Sequence, residues 1–193
     1  LLGNDFTTAG ASAGNQTFSL SGGGLISTIA GSNVTFNSSA VNTLTVTFTD
    51  FSIGETTSEE ININLTSESS FFTNSIFYGP MVVTKIGTAG NDTQGGNIFY
   101  GPITFNTTVG SDRWRMANTN PDIFHNLTIN HDGDGNFILG RQTLGNEYHG
   151  TTTLNSSTAG GLFIGRSNVV AGTFSNEFFG PVNFNVTLSG NVY

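Results

Sequence analysis

Polar and apolar residues alternate with a period of two in short runs along the chain. Leu44, Val46 and Phe48 alternate with Thr43, Thr45, Thr47 and Thr49, and Ile61, Ile63 and Leu65 with Asn62 and Asn64. Ile103 and Phe105 alternate with Thr104 and Asn106, and Leu127/Ile129, Thr152/Leu154 and Val182/Phe184/Val186/Leu188 keep the same parity. Because successive side chains of a strand point to opposite faces, each run predicts a strand with one buried face. Further strands are expected over 17–20 and 25–29, split by Ser21-Gly22-Gly23-Gly24. No window sustains a 3.6-residue period, and β-branched and aromatic residues dominate the apolar set, so long helices are not expected.

Several of these runs share a heading. Phe99-Tyr100-Gly101-Pro102-Ile103-Thr104-Phe105-Asn106 recurs upstream as Phe77-Tyr78-Gly79-Pro80. Downstream copies are led by Phe124-His125, by Tyr148-His149-Gly150 and by Phe178-Phe179-Gly180-Pro181, the last running on to Phe184. The leading aromatics are 22 (77 to 99), 25 (99 to 124), 24 (124 to 148) and 30 (148 to 178) residues apart. Such periods mark arrays in which one supersecondary unit repeats along an axis. The Gly-Pro pair bends the chain and lacks an amide donor, which places it at a corner or strand start. A second echo, Gly135-Asn136-Phe137-Ile138-Leu139-Gly140 against Gly161-Leu162-Phe163-Ile164-Gly165, adds at least one more strand per unit. Gly31-Ser32-Asn33-Val34-Thr35-Phe36-Asn37 reads as an early relative of the Gly101–Asn106 strand, off by one residue.

One such unit cannot bury enough apolar surface to offset its own chain entropy, whereas stacked units share a continuous core. The pattern therefore predicts an all-β parallel β-helix or β-solenoid of roughly 22–30-residue repeats. The alternative is an antiparallel β-sandwich, whose turns are also Gly-rich. Three stretches follow: 1–16 as an extended N-terminal segment, 17–76 as irregular β rungs, and 77–193 as aromatic-Gly-Pro repeats.

Composition narrows the function classes. The net charge is −8, and the only Lys and Arg residues are Lys85, Arg113, Arg115, Arg141 and Arg166. No basic stripe exists to follow a phosphate backbone, so nucleic acid is not an expected partner. Cysteine is absent, which removes disulfides, thiolate metal sites and thiol catalysis together. No run of about 18 apolar residues is present, so insertion of a helix into a membrane is not expected. The opening Leu1-Leu2-Gly3, without Met, reads as a processed or excerpted segment.

Five constellations carry candidate chemistry. Arg113-Trp114-Arg115 holds the single Trp in the only cationic cluster. Exposed, it would stack on a sugar and grip an acidic glycan; otherwise Trp114 fills the core slot of Phe137 and Phe163. Asn130, Asp132 and Asp134 alternate as oxygen ligands do in a calcium loop, although Arg141 stands where such a loop needs Glu. The competing reading is a Gly-rich turn; calcium is the one cofactor considered. His125 and His149 share a slot with Tyr78, Tyr100 and Phe179, which reads as a position for stacked flat rings. Glu147 and Glu177 precede their aromatics where other copies hold Ile76, Ile98 and Ile123, and read as a solvated corner more than as a glycosidase pair. The threonine row at 43–49 resembles an ice-binding face only if it repeats on successive rungs.

The aromatic-x-Gly-Pro/Thr headings, followed by Gly-Asn-Phe-Ile-Leu-Gly or Gly-Leu-Phe-Ile-Gly, resemble degenerate repeats of very large secreted surface proteins of Bacteroidota. Those are adhesin-like or filament-forming proteins exported by the type IX route. The resemblance spans about residues 77–193 and implies a non-enzymatic extracellular or cell-surface protein with a structural or adhesive role. Its implied partners are further copies of itself, the rest of a longer repeat protein, and surface glycans. Two other expectations stand beside it, a carbohydrate-binding or carbohydrate-cleaving β-helix and a phage tail-fibre-like spike.

Overall fold

The chain is a parallel β-helix. The computed structural model describes residues 6–8, 16–27, 33–39, 44–58, 60–140, 145–157, 160–165 and 176–187. Among them there is no helix, and every strand ladder is parallel. An antiparallel sandwich is therefore ruled out.

The longest ladder stacks Phe6–Thr8, Asn33–Ser39, Glu60–Ser67, Met81–Lys85, Ile98–Thr107, Ile123–His131, Thr152–Ser156 and Val182–Val186. Ahead of these strands run short ones: Leu25–Ile26 pairs with Ser52–Ile53, that with Ile76–Phe77, and that with the leading residues of Ile98–Thr107, while Glu147–Tyr148 pairs with the leading residues of Ile123–His131 and with Glu177–Phe178. A third face consists of Gln16–Ser21, Leu44–Thr49 and Ser69–Thr73, then Asn91–Asp92, Trp114–Met116, Phe137–Leu139 and Leu162–Ile164. Thr73 bridges to Gly95 where the two sheets of this face meet.

Alternation sets what goes inside. Leu44, Val46 and Phe48 are buried, as are Ile61, Ile63, Leu65, Ile103, Phe105, Leu127, Ile129 and Leu154. The leading aromatics fall in register, Phe77 on Phe99, Phe99 on Phe124, Phe124 on Tyr148 and Tyr148 on Phe178. Their rings stack with centroids 5.1, 5.1, 5.4 and 4.4 Å apart and planes within 13°. The spacing is close to that of neighbouring strands, so one ring per rung makes a continuous column.

The glycine of each heading answers a close approach between rungs. A Cβ on Gly101 would lie 2.1 Å from the Gly79 carbonyl oxygen, and one on Gly180 would lie 2.2 Å from that of Gly150. Gly79 and Gly150 meet Ile61 and His125 carbonyls in the same way. Pro80, Pro102 and Pro181 face solvent beside them, and the register is irregular between Phe99 and Pro102. The pair thus forms a kinked corner inside a long strand.

Three details differ from the sequence reading. Within 1–16, Phe6–Thr8 already pairs with the ladder; its Gly/Ala/Ser surroundings concealed the strand. Phe36 aligns with Ile63, hence with Met81 and Ile103, whereas the Val-Thr-Phe-Asn likeness matches it to Phe105. A shift of two residues keeps the same face inward, so alternation cannot detect it. Phe163 pairs with Ile138, while Leu162 follows Phe137 in the interior column. Gly161 makes this register fit, since a Cβ there would lie 2.3 Å from the Phe163 ring.

Candidate functional site

Two residues before each leading aromatic lies a polar column, Ser75, Asn97, Asp122 and Asn146, all buried, followed by half-buried Asn176. The backbone N–H of Ser75 donates to Asn97 Oδ1 (3.1 Å), that of Asn97 to Asp122 Oδ1 (2.9 Å), that of Asp122 to Asn146 Oδ1 (2.8 Å) and that of Asn146 to Asn176 Oδ1 (3.0 Å). Each side chain thereby satisfies a corner amide of the preceding rung. Asp122 is the one carboxyl of the column; its Oδ2 is buried without a hydrogen-bond partner. Burial pushes this carboxyl up to about 7, against the opposing pull of hydrogen bonds from Asn97 and Ala117.

A second polar column lies inside the far end of the long ladder. Ser67, Lys85, Thr107, His131 and Ser156 follow one another in register and are all buried. Lys85 Nζ donates to the carbonyls of Glu68 (2.7 Å) and Ala89 (2.6 Å). Burial lowers its pKa, with the charges of Glu68 and Asp112 opposing. Thr107 Oγ1 accepts the N–H groups of Asp132 (3.1 Å) and Gly133 (3.0 Å). Both lone pairs being used, its proton goes to His131 Nδ1 at 2.8 Å. His131 therefore carries its own proton on Nε2, in the neutral form. Burial lowers its pKa to about 4, with Asp132 and the Gly135 carbonyl acting in the opposite sense.

On the outer face of the same strands there is a cleft of about 370 Å³, lined by Asn130, His131, Asp132, Asn155, Ser156, Ser157, Asn185 and Thr187. Asn130, Asn155 and Asn185 belong to an outward column. Asn130 Nδ2 donates to Asn106 Oδ1 (2.8 Å), Asn155 Nδ2 to Asn130 Oδ1 (2.6 Å) and Asn185 Nδ2 to Asn155 Oδ1 (2.8 Å). On the inner face of these strands, Ser156 Oγ and His131 Nε2 are buried and make no hydrogen bond.

The outer rings stack as their shared slot suggests. Tyr78 lies 4.7 Å from Tyr100, Tyr100 4.9 Å from His125, His125 5.3 Å from His149 and His149 4.8 Å from Phe179. Burial and, secondarily, the neighbouring His149 lower the pKa of His125. Glu147 and Glu177 are register partners at the corner, and Glu147 Oε2 lies 2.9 Å from His149 Nε2.

The other sequence candidates are placed differently. Trp114 is inside, packed edge-on against Phe105 at 5.0 Å and against Phe137 at 5.4 Å, so no face is open to a sugar. Arg113 and Arg115 flank it, half-buried and outward. Asn130 is engaged in the asparagine column, while Asp132 and Asp134 are exposed. Among the described residues no group of three or more His, Asp or Glu is arranged to hold a metal ion. The threonine row stacks Thr47 on Phe71, which interrupts it after one rung; Thr43 lies outside the described residues. Sequence reasoning missed both buried polar columns. The constant offset from each leading aromatic was the available signal for the first. No family model, no curated protein and no solved structure matches the chain.

Proposed function

We propose that the chain is a structural or adhesive element of an extracellular or cell-surface protein, a stiff polar β-solenoid extended by adding rungs at its end. One observation carries this reading. In the last described rung, Phe178, Phe184 and Val186 occupy inward positions in register with Tyr148, Leu154 and Ser156. They are nonetheless 37%, 53% and 43% exposed. A rung with exposed apolar side chains that pairs, among the described residues, on one side alone is a template for one more rung, whether from the same polypeptide or from another copy. The repeats resembling those of Bacteroidota surface proteins support the same reading. Burial of Trp114 speaks against the competing carbohydrate module centred on Arg113–Arg115.

The test is electron microscopy of the protein as isolated from its source. Rods or filaments with strands about 4.8 Å apart along the long axis are expected. Separate compact particles, with Phe178 and Phe184 protected by no other rung, would overturn the reading.

A further inference from the structure

We infer that the edge formed by Glu177–Phe178 and Val182–Val186 is a strand-addition site selective for one side-chain pattern. Its partner is a parallel strand that carries two flat rings, Gly-x, then apolar-x-apolar-Asn, as Ile98–Thr107 does. This site rests on the growth by added rungs proposed above and narrows it to one kind of partner.

Four columns run through the rungs, and each stops at this edge with a group that the next strand would meet. The inner rings end on Phe178, stacked 4.4 Å from Tyr148, and the outer rings on Phe179, stacked 4.8 Å from His149. Phe178 is partly exposed and Phe179 is 60% exposed, so each presents a ring to a further one. The asparagine column is directional: Oδ1 of Asn106, Asn130 and Asn155 each accepts Nδ2 of the asparagine in the following rung. Asn185 gives its own Nδ2 to Asn155, and its Oδ1 stands at an exposed position where the next amide would arrive. The fourth column is the close approach at the corner. Gly180 lies against the Gly150 carbonyl as Gly101 lies against that of Gly79, so a Cβ arriving over the Gly180 carbonyl would meet the same obstruction. The rung of Ile123–His131 avoids it differently, with one residue fewer between Phe124 and Asn126 than between Phe99 and Pro102.

Direction, parity and charge select the partner. The ladder to which Val182–Val186 belongs is parallel throughout, so a strand that continues it runs the same way. Main-chain hydrogen bonds would accept any extended segment, and alternate side chains supply the choice. Phe184 and Val186 face inward, so the strand needs apolar residues at the matching alternate positions; displaced by one residue, it would set polar groups over them. Glu177 is the only charged residue between 176 and 187. An acidic strand would meet its carboxylate without a compensating cation, whereas three earlier rungs hold neutral Ile76, Ile98 and Ile123 at that position.

The experiment titrates the full chain, dispersed in dilute solution, with a synthetic peptide copying residues 98–107, its ends acetylated and amidated. Binding is read by NMR from the rings of Phe178 and Phe184 and the side-chain amide of Asn185, all of which are expected to shift. A second peptide of the same composition, with Ile103 and Thr104 exchanged and Phe105 and Asn106 exchanged, should bind at least about tenfold more weakly. Asn185→Ala in the chain, an exposed change that spares the core, should weaken the first peptide about three- to tenfold, as should Asn106→Ala in the peptide. Phe184→Ser should weaken it further, and Val109→Ser, remote from the edge, should not. No binding by the first peptide, equal binding by the two peptides, or affinity unchanged by both Asn185→Ala and Phe184→Ser would each overturn the inference. Rods formed by the chain while the two peptides bind alike would leave the structural reading standing without the selectivity. Selective peptide binding by a chain that stays as separate particles would do the reverse.

Discussion

Asp122 accepts both the backbone and the side-chain N–H of Asn97 through a single oxygen, Oδ1, at 2.9 Å each. The second oxygen has no partner, and the neighbouring rungs place asparagine at this position. A carboxyl there is tolerated at least cost when neutral.

Stability should therefore fall as pH rises past the ordinary Asp value of 3.8 and through about 7, because the unfolded chain releases a proton that the folded chain retains. Asp122→Asn should remove this dependence and stabilise the protein at pH 8 by on the order of 2–4 kcal/mol. Urea unfolding at pH 4.5 and pH 8 measures both. Equal gains from Asp122→Asn at the two pH values would contradict the assignment.

His131 has the opposite sign. Its folded value of about 4 lies below the ordinary 6.5, so its contribution is complete above 6.5 and disappears as pH falls through 4. Between pH 4 and 6.5 the two groups oppose one another in the native protein. Asp122→Asn should expose a profile that rises with pH, with His125 adding to it. His131→Gln should leave the falling limb from Asp122 dominant. Profiles of the same slope in the two variants would show that neither group titrates as described.

Lys85 is held for hydrogen bonding more than for charge pairing. Lys85→Met keeps the length of the stem but strands the Glu68 and Ala89 carbonyls, and should cost about 2–3 kcal/mol in denaturant unfolding. Lys85→Arg should not rescue it, since a planar guanidinium does not fit a site built around one Nζ. A neutral Lys85→Met substitution would place those carbonyls in contact with solvent.

Gly101 and Gly110 separate two kinds of glycine. Alanine at 101 drives a Cβ into the Gly79 carbonyl, a backbone atom unable to move without shifting the rung, and should cost about 3 kcal/mol or more. Gly110 has φ of 82° and nothing within 4 Å, so Gly110→Ala should cost only about 1 kcal/mol. Thermal melts of the two variants supply the comparison, and equal losses would remove the steric account of the corner.

Much of the architecture was legible because one residue type marked it. Phe77, Phe99, Phe124, Tyr148 and Phe178 pair directly, and their spacing alone defined the rung. Register between rungs was harder to read: Phe36 and Phe163 show that a likeness of a few residues is satisfied equally well two positions, or one, away. The inner polar column was hidden for a different reason. His131 and Ser156 sit where alternation calls for apolar side chains, and a polar residue inside a solenoid becomes visible only once its rung neighbours are known. Asn130 drew notice as an ion ligand, but its amide is already committed to Asn106 and Asn155.

The turn at Val109 and Gly110 protrudes from a wall in which covalent bonds run around the perimeter and hydrogen bonds run along the axis. A protease that cut there would sever the chain without separating its pieces. Ile98–Thr107 would remain bonded to Met81–Lys85 on one side and Ile123–His131 on the other, and Trp114–Met116 to its own neighbours. Nicked molecules should thus keep their shape and their surface, and lose only the order in which the rungs are threaded.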